Sequence, residues 1–196
     1  SPEEKNAFWD DAQKKYRRAT DENEHFADAW FNWGNLLSDR AKAAASPEEK
    51  NAFWDDAQKK YRRATDENEH DADAWFNWGA LLSDRADAAS SPEEKNAFWD
   101  DAQKKYRRAT EENEHLADAW FNWGALLSDR ADAASSPEEK NAFWDDAQEK
   151  YRRATEEDEH HAAAWYSWGA LLSARADAAS SPEEKNAFWD DAEKKI

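Results

Sequence analysis

An all-α solenoid of nine helices is the fold class this sequence predicts, on three observations. A 45-residue unit recurs without interruption, each unit holds two segments with helical spacing of apolar residues, and strand-forming residues are nearly absent. There is no Val and a single Ile, Ile196, which excludes an all-β or doubly wound fold. Nine Leu and nine Phe are few for a folded chain, and 27 Lys and Arg against 45 Asp and Glu leave a net charge of −18, a composition usually read as disordered. Thirteen Trp and abundant Ala argue against that reading.

The repeat opens with Ser-Pro-Glu-Glu-Lys-Asn-Ala-Phe-Trp-Asp-Asp-Ala at Ser1, Ser46, Ser91, Ser136 and Ser181. The expected organisation is one solenoid domain with repeats 1–45, 46–90, 91–135 and 136–180 and a partial repeat, a single helix, over 181–196. Ser46-Pro47-Glu48-Glu49 places Ser at the N-cap, Pro at the first helical position and Glu where a capping box closes. From there Ala52, Phe53, Trp54, Ala57, Tyr61 and Ala64 form one apolar stripe down a helix, helix B, running to about Thr65. Asp55 and Asp56 precede Lys59 and Lys60 by four residues, the order that favours exposed ion pairs.

After the polar break Asp66-Glu67-Asn68-Glu69-His70, a second helix, helix A, carries Ala72, Trp75, Trp78, Gly79, Leu82, Ala86 and Ala89 on its stripe and ends near Ser90. An interior Gly costs a helix roughly 1 kcal/mol relative to Ala. Gly34, Gly79, Gly124 and Gly169 occupy one place in the period, and close approach of a neighbouring helix explains them.

The run Ala72-Asp73-Ala74-Trp75-Phe76-Asn77-Trp78-Gly79-Ala80-Leu81-Leu82, with Ala57, Tyr61 and Ala64 on the preceding helix, resembles the tetratricopeptide (TPR) pattern. That family uses about 34 residues per helix pair, so the present repeat is a longer variant, with the extra length between Leu82 and Ala102. Glu24, Glu69, Glu114 and Glu159 stand where the family usually has Pro. The resemblance implies a right-handed superhelical solenoid of antiparallel helix pairs, and a scaffold whose helix A faces line a concave groove for peptides or partner proteins. One subset of such arrays clamps a C-terminal carboxylate with basic residues; Asn35, Asn77 and Asn122 sit at clamp-like places, but Phe31, Asp118 and Asn122 stand where the basic residues belong. The clamp is not present.

Other chemistries find little support. Without Cys there is neither a disulfide nor a thiolate ligand. His25, His70, His115 and His160 recur once per repeat, about one helix-packing distance of 8–10 Å apart, too far to converge on one metal ion, and read as structural loop residues. His161, beside His160, is the one conceivable metal nucleus. Adjacent acids such as Asp55 and Asp56 diverge by about 100° around a helix and have Lys partners, so no catalytic pair and no enzyme is expected. No cofactor motif is present. The acidic balance disfavours nucleic acid and anionic membranes, and no membrane span or signal peptide is read, giving a soluble protein, cytoplasmic by default. Trp54, Trp75 and Trp78 lie on the stripes that must meet, and are expected in the core.

The copies differ in 11 of 45 columns, and six of these are the columns of Asp28, Phe31, Asn32, Asn35, Asp39 and Lys42. Those six share an arc of about 100° on helix A, opposite Trp30, Trp33, Gly34 and Leu37. A seventh column, just before the helix, holds Phe26, Asp71, Leu116 and His161. The outer face of helix B varies at one column only, so drift of exposed residues does not by itself explain the pattern.

The expected role is therefore a protein-interaction scaffold for an extended segment bearing Lys or Arg. Phe31, Phe76, Phe121 and Tyr166 supply aromatic contact; Asn32, Asn35, Asn77 and Asn122 supply amides; Asp28, Asp39, Asp73, Asp84, Asp118 and Asp129 supply charge. An idealised or engineered structural array with no ligand of its own is the alternative, favoured by the near identity of the copies. Head-to-tail self-association is also expected, because Phe8, Trp9, Ala12 and Tyr16 at one end and Phe188, Trp189 and Ala192 at the other repeat the interior stripe.

Overall fold

The computed structural model describes residues 2–179, and the helix expected over 181–196 lies outside them. Among the described residues there are eight helices: α1 (Pro2–Glu22), α2 (Ala27–Ala43), α3 (Pro47–Glu67), α4 (Ala72–Asp87), α5 (Pro92–Glu112), α6 (Ala117–Ala133), α7 (Pro137–Glu157) and α8 (Ala162–Ala178). Two compact units divide them, Ser1–Glu112 with α1 to α5 and Asn113–Ile196 with α6 to α8. None of these helices is long and apolar enough to cross a membrane.

The helix B copies α1, α3, α5 and α7 each have 21 residues. Their start follows from the Ser-Pro-Glu-Glu signal: the hydroxyls of Ser46, Ser91 and Ser136 accept the N–H of Glu49, Glu94 and Glu139 at 3.1 Å. The reciprocal half of the capping box is displaced by one residue, since Glu49 Oε2 accepts from the Ala45 N–H at 3.1 Å rather than from Ser46. Helix B runs two residues past the expected end near Thr65, because Arg63 ties Glu67 to the last turn at 2.8 Å. Helix A stops short of Ser90: α4 ends at Asp87, where the Ala88 and Ala89 N–H groups tighten to three-residue bonds with the Arg85 and Ala86 carbonyls, both at 3.2 Å.

In the first unit α2 packs lengthwise on α3 and α4 on α5, while α1 meets α2, α3 meets α4 and α2 touches α4. In the second unit α6 packs lengthwise on α7, and α8 touches both α7 and α6. Gly34, Gly79 and Gly124 sit against a tyrosine ring of the lengthwise partner. A Cβ on Gly34 would lie 2.7 Å from the Tyr61 ring, and one on Gly79 or Gly124 would lie 2.8 Å from Tyr106 or Tyr151. Around these contacts Trp33, Leu37, Trp54, Ala57, Tyr61 and Ala64 are buried, as the stripes require.

Not all of the expected stripe is enclosed: Ala52 is exposed, and Phe53, Ala72, Trp75 and Ala89 are half-buried. Trp54 and Trp78 are enclosed, but Trp75 stacks on Trp78 at 5.7 Å between ring centroids and donates its indole N–H to the Glu69 carbonyl at 2.8 Å. The loop before the helix offers that indole a carbonyl at the edge of the core. Lys105 covers the pair with its ammonium 3.6 Å from the Trp78 centroid and 5.0 Å from that of Trp75, and burial pushes that ammonium below the usual lysine range. Trp30, Trp33 and Lys60 repeat the arrangement.

Candidate binding face on the helix A copies

The spacing of the variable columns, three and four residues apart, lines them up along each helix A. In the first unit Phe31 on α2 is half-buried against Tyr61, with centroids 6.4 Å apart, and Phe76 on α4 lies against Tyr106 at 6.2 Å. Asn35 Oδ1 accepts from the Tyr61 hydroxyl at 2.8 Å and from Asn77 Nδ2 at 3.1 Å, which joins α2, α3 and α4. Asn32 Nδ2 donates to the Asp28 carbonyl at 2.8 Å, one turn back on its own helix. Lys42 and Asp84 pair at 3.6 Å. Asp28, Asp39 and Asp73 are exposed and have no ion pair among the described residues. Burial, aided by the charge of Asp39, pushes the Tyr61 phenol well above its ordinary range, so it serves as a hydrogen-bond donor.

The second unit places Asp118, Phe121, Asn122 and Asp129 on α6 and Tyr166 on α8. Phe121 lies 6.1 Å from the Tyr151 ring and 4.9 Å from the His161 ring. His161 Nε2 is 3.2 Å from Asp118 Oδ1, and Asn122 Nδ2 donates to the Asp118 carbonyl at 2.8 Å. Tyr166 is 79% exposed, and Asp129 is exposed near Tyr151, whose phenol burial raises.

The structure thus brings Asn35 together with Asn77, Lys42 with Asp84, and Asp118 with Phe121, within their own units. Among the described residues, the hydrogen bond that Asn32 or Asn122 makes stays on its own helix. Two contributors fall outside the sequence-derived site. Tyr61, Tyr106 and Tyr151 form the floor beneath the phenylalanines, and the recurrent 27-residue step from Gly34 to Tyr61 was the signal for them. Asp71 and His161 cap α4 and α8, accepting the N–H of Ala74 at 3.0 Å and of Ala164 at 3.2 Å, and their column varies in every repeat.

The loop histidines make a separate contact. His25 Nδ1 lies 2.7 Å from Glu67 Oε2, His70 Nδ1 2.8 Å from Glu112 Oε2, and His115 Nδ1 2.7 Å from Glu157 Oε2. Each joins the loop of one repeat to the end of helix B in the next. The ion pairs expected on helix B are partly redirected: Lys59 pairs with Asp56 at 2.9 Å, while Asp55 reaches Arg85 on α4 at 2.8 Å. The cleft lined by Asp55, Gln58, Lys59, Arg62, Arg85 and Phe98 is open, and on its walls Lys59 and Arg85 are paired with the chain's own carboxylates.

No protein-family model and no curated protein matches the sequence. Solved structures do resemble the fold. Two structures of MamA superpose with TM-scores of 0.65 and 0.66 at 15% identity, covering 99% of this chain and 92% and 86% of theirs. TTC0263, a thermophilic TPR protein in Thermus thermophilus, superposes with a TM-score of 0.59 at 13% identity over 96% of this chain and 83% of its own. At these identities the likeness concerns architecture. The glycine seated on a tyrosine ring, the two-helix repeat and these structural neighbours together make this an all-α fold of TPR-like repeats, in a 45-residue variant.

Proposed function

We propose that the chain is a protein-interaction scaffold that takes an extended, Lys- or Arg-bearing segment of a partner along its helix A faces. The observation that supports this most directly is acid beside aromatic: Asp28, Asp39 and Asp73 lack ion pairs among the described residues, and half-buried Phe31 and Phe76 share their faces. Carboxylates at a rim attract and orient a cationic segment, and the rings give its alkyl chains something to cover. The reading assigns no catalytic role, no cofactor and no nucleic acid. It includes the single solenoid of repeats 1–45, 46–90, 91–135 and 136–180 and the right-handed course that the tetratricopeptide resemblance implies.

A fluorescein-labelled octapeptide alternating Ala and Lys tests it. Replacing Asp28 and Asp73 together by Asn removes two charges from the rim, so the Kd rises about tenfold and the salt dependence of binding becomes shallower. Unchanged affinity and salt slope in that variant overturn the groove assignment. The second reading, an array with no ligand of its own, is favoured by the 34 of 45 columns (45 − 11) that do not vary, and it expects no binding by either protein.

Self-association is part of the same proposal. Phe8 on α1 is 77% exposed, whereas its counterpart Phe53 lies beneath the Arg40 guanidinium at 4.6 Å from the ring centroid. A helix A from a second copy has the surface that covers this residue type within the chain. The corresponding aromatics Phe188 and Trp189, with Ala192, lie outside the described residues.

A further inference from the structure

The column holding Phe26, Asp71, Leu116 and His161 changes chemistry in every repeat, and the second unit shows where such a side chain goes. His161 is 12% exposed at its side chain and reaches back from the start of α8 onto α6. Its Nδ1 accepts the Ala164 N–H at 3.2 Å, so the ring proton sits on Nε2, which donates to Asp118 Oδ1 at 3.2 Å. The imidazole lies against Phe121, with ring centroids 4.9 Å apart. An N–H donor set against a phenylalanine ring and bonded to an aspartate is how a guanidinium or ammonium from a partner uses such a face. Here the chain supplies the occupant itself.

In the first unit the same place holds an acid. Phe31 and Asp28 on α2 are the counterparts of Phe121 and Asp118, and Asp71 is the counterpart of His161. Asp71 accepts the Ala74 N–H at 3.0 Å and is half-buried. Partial burial, with the nearby charges of Asp73 and Asp28, holds its carboxyl above the ordinary range. A cation placed there relieves the mutual repulsion of these acids and finds the Phe31 ring beside it.

We infer that this column selects what each stretch of the helix A face accepts: Asp71 makes the α2 and α4 face a subsite for a Lys or Arg side chain of a bound peptide, with Phe31 against it and Asp28 and Asp71 on its charge, whereas His161 closes the equivalent subsite between α6 and α8. This rests on the binding reading above and names its selector.

The test uses the full chain, the labelled Ala-Lys octapeptide and the same peptide with every Lys acetylated, read by fluorescence polarisation. Asp71→His keeps the helix cap, as His161 shows for α8, and Asp71→Asn keeps a cap while removing only the charge. Both weaken the Lys peptide about tenfold relative to the parent chain, while His161→Asp strengthens its binding or adds a site. The acetylated peptide loses the discrimination among these proteins. Equal affinity of the parent chain, Asp71→His and Asp71→Asn, all folded by circular dichroism, overturns the selector, while weakening by the Asp28 and Asp73 double variant in that same series leaves the binding face standing. Absence of Lys-peptide binding to the parent chain overturns both.

Discussion

At the residue scale the contact between Gly34 and Tyr61 sets how closely two helices approach. Alanine in its place gains roughly 1 kcal/mol of helix propensity, yet its Cβ would stand 2.7 Å from Cδ1 and Cε1 along one edge of a buried ring. Such a ring has nowhere to swing, and overpacking of this kind costs about 1–3 kcal/mol, so the steric cost wins. Gly34→Ala therefore lowers the melting temperature, and Tyr61→Leu in the same chain restores part of the loss. A double-mutant cycle measures the coupling; additive effects would show that the ring yields instead. Asn35 illustrates a different constraint. Its carbonyl oxygen serves both Tyr61 and Asn77, so a partner reaching that amide competes with the scaffold's own bonds.

At the element scale the ends of α3, α5 and α7 are each fastened to the preceding repeat's loop by a histidine. The bond to Glu112 and the charge of that carboxylate raise His70 above its ordinary 6.5, Glu69 adding to this and Arg108 opposing it. His25 with Glu67 and His115 with Glu157 behave alike. A histidine whose folded pKa is raised contributes stability that is fully present below the unfolded value and lost as pH rises through the folded one. Glu112, held below its ordinary range by the same bond, loses its contribution only as pH falls through that lowered value. The fastening is therefore strongest between the carboxylate range and the raised histidine range. Raising the pH from about 6 to about 8 should lower the melting temperature of the parent chain more than that of His70→Gln, whose side chain does not titrate. Equal pH slopes in the two proteins would remove the histidine from any role in holding repeats together.

At the scale of the whole molecule, the net charge of −18 opposes the apolar surface left at Phe8. Repulsion between chains acts over about 10 Å at 0.1 M salt and over less as salt rises, whereas burial of an aromatic ring does not weaken with screening. Sedimentation velocity is expected to show monomer at low salt and faster species as salt and protein concentration increase. Phe8→Glu should stay monomeric throughout. A parent chain whose sedimentation is unchanged at high salt would mean that Phe8 is not an association surface.

What the sequence determined by itself is local and periodic. The Ser-Pro-Glu-Glu caps, the three- and four-residue apolar spacing and the repeated glycine specify two helices per repeat and the stripes by which they meet, because the backbone geometry of a helix converts spacing directly into a face. The variable face of helix A was legible for the same reason. What only the tertiary structure decided involves partners some 26 to 42 residues apart, such as Asn35 with Tyr61 and Asn77, and His25 with Glu67. These depend on the distance and angle between helices, which intrahelical spacing does not encode. The half-burial of Trp75 and the landing of His161 on Phe121 and Asp118 depend on how far a loop carries a side chain over its neighbour. A variable column can be seen in a sequence, but the surface it reaches is set by packing.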